Sequence, residues 1–145
     1  MIKQIFILSF ICLSYSAYSQ SPVTWKGEII EDASEKYFII KAKVDKGWYV
    51  YSMNTNPDGP VPTEVDFINE GNFELAGDII EQGDLIESYD ELFEVDIMKY
   101  KDELIFKQKI GRIKNDAVVK CEVTYMTCDD KKCLPPVTVE LEFRN

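Results

Sequence analysis

Alternation of apolar and polar side chains with a period of two constrains this chain more than any other feature. Phe38, Ile40, Ala42 and Val44 alternate with Ile39, Lys41 and Lys43, and Leu104, Phe106 and Ile110 share one face with Lys107 and Lys109 on the other. Val119, Cys121, Val123 and Tyr125 alternate with Lys120, Glu122 and Thr124, and Val137, Val139, Leu141 and Phe143 with Thr138, Glu140, Glu142 and Arg144. Successive side chains of a strand point to opposite faces, so each run reads as a strand buried on one side only, as in antiparallel sheets. Val23–Ile29 and Thr63–Phe67 are weaker examples. Asp45-Lys-Gly47, Glu70-Gly-Asn72 and Lys114-Asn-Asp116 read as turns, and Asn56–Pro62 as a long connection. Short strands separated by turns predict an all-β, immunoglobulin-like antiparallel β-sandwich. No internal repeat or linker divides it, so a single domain is expected. One segment departs from the rule: Leu85, Ile86, Tyr89, Leu92 and Phe93 recur at helical spacing, and on pattern alone residues 84–93 read as a short amphipathic helix.

The N-terminus reads as a secretory signal. Lys3 supplies a positive start, Ile5–Leu13 a short apolar run, and Ala17-Tyr-Ser19 the small residues that precede a cleavage site. The apolar run is too short for a confident membrane span, and Ile11 before Cys12 makes lipidation there a poor expectation. Cleavage after Ser19 leaves residues 20–145, with 15 basic against 26 acidic side chains, a net charge of −11. So acidic a domain is a poor match for nucleic acid or anionic lipid, and no second apolar stretch predicts membrane insertion. The absence of histidine excludes histidine general bases and histidine metal ligands.

Export sets the redox context, because disulfides persist outside the cytoplasm. Cys121, Cys128 and Cys133 remain after cleavage. Cys121 shares the parity of Val119, Val123 and Tyr125 and reads as a small buried hydrophobe. Cys128 lies at an odd offset from it, on the opposite side, which leaves Cys128 and Cys133 as the pair. Closing a loop of about six residues contributes only ~2 kcal/mol through chain entropy. The pair is therefore either a minor staple or a reversible dithiol, and its spacing does not decide between them. Three cysteines without histidine make a poor tetrahedral zinc site. Lys131 and Lys132 adjoin Cys133, whereas Asp129 and Asp130 adjoin Cys128, so Cys133 is the better candidate for a stabilised thiolate.

The run Val123-Thr-Tyr-Met-Thr-Cys128, four residues, then Cys133-Leu-Pro-Pro136 resembles the active-site hairpin of the N-terminal periplasmic domain of DsbD, the thiol:disulfide interchange protein. Gly47-Trp-Tyr-Val-Tyr-Ser52 is similar to that family's aromatic strand, Gly59-Pro-Val-Pro-Thr63 to the loop after it, and Tyr89-Asp-Glu-Leu-Phe93 to its cap segment. The resemblance runs over roughly residues 23–143. Familiar enterobacterial members have five residues between the cysteines instead of four.

The resemblance implies a stand-alone immunoglobulin-fold redox domain in the periplasm, a thiol:disulfide oxidoreductase of the protein-disulfide-reductase type that needs no cofactor or metal. Cys128 and Cys133 would be the redox pair, with Cys133 forming the mixed disulfide. Phe93, Asp90 and Glu91 would cap it as a mobile loop, displacing the helical reading of 84–93, and Tyr49 and Tyr51 would flank it. Electrons would pass between a thioredoxin-like donor and oxidised periplasmic partners. Since the sequence ends at Asn145, the membrane electron donor is expected to be a separate protein, and the domain itself a monomer. The alternative is a non-catalytic immunoglobulin-like binding module whose disulfide is only structural.

Overall fold

The computed structural model describes residues 21–145. The secretory signal read at residues 1–19, with Cys12, lies outside the described residues. Among these there is no helix. Eight strands follow one another: β1 (Val23–Asp32), β2 (Glu35–Val44), β3 (Tyr49–Tyr51), β4 (Glu64–Ile68), β5 (Phe73–Asp90), β6 (Val95–Ile113), β7 (Val118–Cys128) and β8 (Cys133–Arg144). Every pairing is antiparallel, and the fold is the expected immunoglobulin-like one.

Two strands organise the rest. β6 carries β5 on one edge and β2, then β3, on the other; β7 carries β8 on one edge and β3, then β4, on the other. The three residues of β3 thus join the two halves of a curled sheet, with Val50 opposite both Tyr100 of β6 and Thr127 of β7. The curl brings β1 against β8 and encloses the core.

The alternating residues fill that core. Phe38, Ile40, Ala42 and Val44 from β2 are buried with Leu104, Phe106 and Ile110 from β6, Val119, Cys121, Val123 and Tyr125 from β7, and Phe143 from β8. Phe38 is the hub, its ring 4.8 Å from Phe67, 4.9 Å from Phe143 and 5.6 Å from Phe73. Each buried Val, Leu, Ile or Phe among them contributes about 1.5–3 kcal/mol by leaving water. Gln108 follows the same parity and is also buried; its amide donates to the Ala76 and Gly77 carbonyls where β5 bulges.

The segment 84–93 is not a helix, and only its end is a loop. Asp84–Asp90 form the distal part of β5, paired with Val95–Lys101, and residues 91–94 make a tight turn. The apolar residues that suggested a helix do not form a buried stripe. Leu85 and Tyr89 lie on the same strand face, both exposed, and Leu92 projects from the turn. A bulge separates this distal arm from the rest of the hairpin: Gly83 faces Leu104, but Asp84 faces Lys101. Asp102 takes a left-handed φ of 62° there. Extra residues in one strand bend it, so the arm's direction is set at Gly83 and Asp102.

Candidate functional site

The β7–β8 hairpin is built so that two cysteines meet. The parity expected along β7 holds to its end: Tyr125 and Thr127 face the core side with Val50, while Met126 and Cys128 face away. The extra residue that adjusts the register falls on β8, where Thr127 pairs with Leu134 and Tyr125 with Val137. Pro135 and Pro136 occupy that bulge, the place in a sheet where a missing N–H is tolerated. Beyond it Cys128 stands directly opposite Cys133, and the two are joined by a disulfide, Cα to Cα 4.0 Å.

Asp129 shapes the turn between them. Its carboxylate accepts hydrogen bonds from the Lys131 and Lys132 amides at 2.7 and 2.8 Å, and its own N–H donates to the Lys132 carbonyl. Those donors hold its carboxyl below the usual aspartate value. Aspartate commonly closes turns through its own side chain, so the acidic residue beside Cys128 belongs to the turn's structure.

The two sulfurs differ in access. Cys128 is 4% exposed and packs with Tyr51 and Ile97 in a small cluster of its own, while Cys133 is half-buried at the cluster's edge beside Val95 and Met126. Cys121, the third thiol, is fully buried in the main core, and burial pushes it up to about 12.

The tip of the β5–β6 hairpin lies over this cluster. The hairpin tip, β3 and the disulfide hairpin together enclose a cavity of about 280 Å³. All seven residues singled out in the sequence line it: Cys128, Cys133, Tyr49, Tyr51, Asp90, Glu91 and Phe93. Asp90 builds the tip as Asp129 builds the other turn, accepting from the Leu92 and Phe93 amides at 2.9 and 3.2 Å. β3 supplies the floor. Tyr49 is the cross-strand neighbour of Cys128, and Thr127 Oγ1 donates to the Tyr49 carbonyl at 2.7 Å. Tyr51 is nearly inaccessible, and burial, helped by the charge of Asp90, pushes its phenol up to about 12.

Sequence reasoning missed two contributors. Lys99 of β6 also lines the cavity, its ammonium 4.1 Å from the Tyr49 ring centroid. Its place opposite Tyr51 depends on a strand pairing that alternation does not reveal. Gly59, read only as part of a connection, lies beneath the tip: a Cβ there would stand 2.7 Å from Val95 Cγ2 and 3.5 Å from Phe93 Cβ. The connection is tied down nearby, where Glu81 accepts from Ser52 Oγ and the Met53 amide at 2.6 and 2.7 Å, and Thr55 Oγ1 accepts from the Met98 amide.

A disulfide closed across one turn, with Cys133 half-buried at the cavity wall and Cys128 held behind it, can undergo thiol–disulfide exchange without unravelling the fold.

Solved structures share this architecture. The N-terminal domain of DsbD from Neisseria meningitidis, crystallised in the reduced form, is 17% identical with a TM-score of 0.62, each chain being 86% covered. The DsbD N-terminal domain in the complex with the PilB N-terminal domain, also from N. meningitidis, is 16% identical with a TM-score of 0.54, covering 81% of this chain and 80% of that one. The N-terminal periplasmic domain of ScsB from Proteus mirabilis is 15% identical with a TM-score of 0.56, covering 83% of this chain and 44% of that one. Comparison with curated protein sequences gives no match. At these identities the structures speak for the fold alone, but the model of the family described as "Thiol:disulfide interchange protein DsbD, N-terminal" matches residues 21–145. With every described residue inside that match, this chain belongs to the DsbD N-terminal domain family.

Proposed function

We propose that this chain is an exported thiol–disulfide exchange relay working through Cys128 and Cys133. The observation that carries the reading is the unequal exposure of two directly opposed cysteines under a hairpin tip: Cys133 is reachable and Cys128 lies behind it. In the reduced form the Cys133 thiolate attacks a partner disulfide. A Cys133–partner bond forms and the partner's other sulfur leaves as a thiolate. Cys128 then gives up its proton and attacks Cys133 Sγ, closing the intramolecular disulfide and releasing the partner's second thiol. Two electrons and two protons thereby reach the partner, and a dithiol donor restores the pair by the reverse exchange.

The donor in this reading is a thioredoxin-like protein fed by a separate membrane protein, and the acceptors are oxidised proteins of the periplasm. Crystallisation of a family member in complex with another protein's N-terminal domain, and the periplasmic description of a second relative, support a protein partner and that compartment. The tip residues Phe93, Asp90 and Glu91 shield the pair, and Tyr49 and Tyr51 wall it.

Cys128→Ser tests the reading by removing the resolving sulfur while leaving Cys133. Incubated with an extract of oxidised periplasmic proteins, this variant accumulates mixed disulfides through Cys133 that dithiothreitol dissolves. A binding module with a structural disulfide gives no covalent complexes, and that result refutes the relay.

A further inference from the structure

Ring closure in the relay requires Cys128 to become a thiolate in a place hostile to one. Cys128 packs against Tyr51 and Ile97 at 4% exposure, and burial in apolar surroundings disfavours the charged form. The charges around the cavity add little help. Asp90 and Glu91 face it from the hairpin tip, and Asp129 and Asp130 from the disulfide turn. The phenols of Tyr49 and Tyr51 close it from β3, and burial and Asp90 keep that of Tyr51 protonated. Lys131 and Lys132 are exposed on the turn beside Cys133, and the Lys132 ammonium leans toward Trp48, 5.8 Å from its ring centroid.

Lys99 differs from them. It enters from β6, on the far side of β3, and is half-buried. Its ammonium is held 4.1 Å over the ring of Tyr49, the residue directly across from Cys128. Among the described residues Lys99 makes no salt bridge, so none of the carboxylates that line the cavity is in direct contact with its ammonium. A cation in a partly desolvated cavity acts on a nearby anion more strongly than an exposed one does, because water screens it less.

We infer that Lys99 is a positioning residue for the resolving step: held on the Tyr49 ring, it supplies the positive charge that lets buried Cys128 ionise and close the disulfide. The inference rests on the relay reading above and divides labour among the cations. Lys131 and Lys132 favour the first attack by Cys133, and Lys99 favours resolution by Cys128.

The test uses the reduced chain and hydroxyethyl disulfide, an uncharged probe whose exchange does not depend on its own electrostatics. Attack by Cys133 gives a Cys133–hydroxyethanethiol adduct and releases one mercaptoethanol. Attack by Cys128 on Cys133 Sγ then releases the second. Acid quenching and mass spectrometry count the reduced, adduct and closed species over time at several pH values. In Lys99→Met, ring closure at pH 7 is expected to slow by about threefold or more, its rate–pH curve to move to higher pH, and adduct to accumulate. Lys99→Arg retains the charge and restores closure. The double variant Lys131→Met/Lys132→Met shows the opposite split, with slower adduct formation. Overturning results are a Lys99→Met curve that superimposes on wild type, or one lowered equally at every pH and not restored by arginine, which marks a packing defect. If wild-type protein forms no adduct, or forms one that never closes, the relay reading falls and this inference with it. If wild type completes both steps and only the Lys99 variants disagree, the relay stands and the role of Lys99 falls alone.

Discussion

Gly59→Ala separates shielding by the hairpin tip from the stability of the domain. The added methyl would sit 2.7 Å from Val95 Cγ2, with Phe93 Cβ and the Asn56 carbonyl each at 3.5 Å. Carbon atoms pack at about 3.5–4.0 Å, so Val95 must retreat by about 1 Å. It cannot do so by turning, because a β-branched side chain is stiff at χ1, and it is the first residue of β6, paired with Asp90 across the turn. The tip has to move as a unit. Overpacking of this kind costs about 1–3 kcal/mol, and in the proposed shielding role the contact is lost when the tip lifts, so the cost falls on the covered arrangement. One to three kcal/mol shifts such an equilibrium by about 5–150-fold. Reduction of the native disulfide by limiting dithiothreitol, followed by thiol titration, should therefore accelerate by about that factor. Circular dichroism shows whether the sandwich stays intact. A folded Gly59→Ala protein reduced at the wild-type rate would contradict the idea that Phe93 and Val95 gate the sulfurs.

Gly83→Ala strikes the bend instead of the tip. Gly83 has φ +151° and its added Cβ would lie 2.5 Å from the Glu103 carbonyl oxygen, a backbone atom that cannot swing aside, so a loss of about 2–4 kcal/mol in urea unfolding is expected; a loss below about 1 kcal/mol contradicts it. Because hydrogen bonds from the Lys131 and Lys132 amides lower the Asp129 carboxyl, Asp129 supports the disulfide turn above the ordinary aspartate value and loses that role as pH falls through its lower folded value. The Lys131 and Lys132 amide resonances should titrate together at a midpoint below that ordinary value, and a midpoint at or above it refutes the assignment. In the reduced protein at pH 8, iodoacetamide should label half-buried Cys133 fastest, Cys128 more slowly, and spare Cys121 in the main core, and Cys121→Ala should cost about 1 kcal/mol while leaving exchange intact; rapid labelling of Cys121 would show that the core opens.

Much of this molecule was legible in the sequence wherever one strand face meets the core. Parity alone places Cys121 and Cys128 on opposite sides of β7, and they lie so because the register shift falls on β8 at Pro135–Pro136. The β5–β6 hairpin was not legible as a pair. Its three register shifts break the alternation, and its distal arm leaves Leu85, Tyr89 and Leu92 in solvent, Leu92 at 78% exposure, so apolar spacing carried no information about burial. The resemblance to the DsbD N-terminal family pointed to a cap at Phe93 where periodicity pointed to a helix. The structure overturns the helix: the segment is a two-stranded arm ending in a four-residue turn, and that turn carries Phe93 to the wall of the disulfide cavity. Lys99 and Gly59 were invisible because their importance comes from non-local neighbours, the Tyr49 ring and Val95 respectively.

The reduction potential of the Cys128–Cys133 couple, measured by equilibration against redox buffers of known poise, bears most directly on whether this disulfide exchanges electrons. A relay requires a value above about −300 mV, within reach of thioredoxin-like partners. A value well below it, with the pair still oxidised under strongly reducing buffer, would mark a permanent staple and leave an immunoglobulin-like domain without redox chemistry.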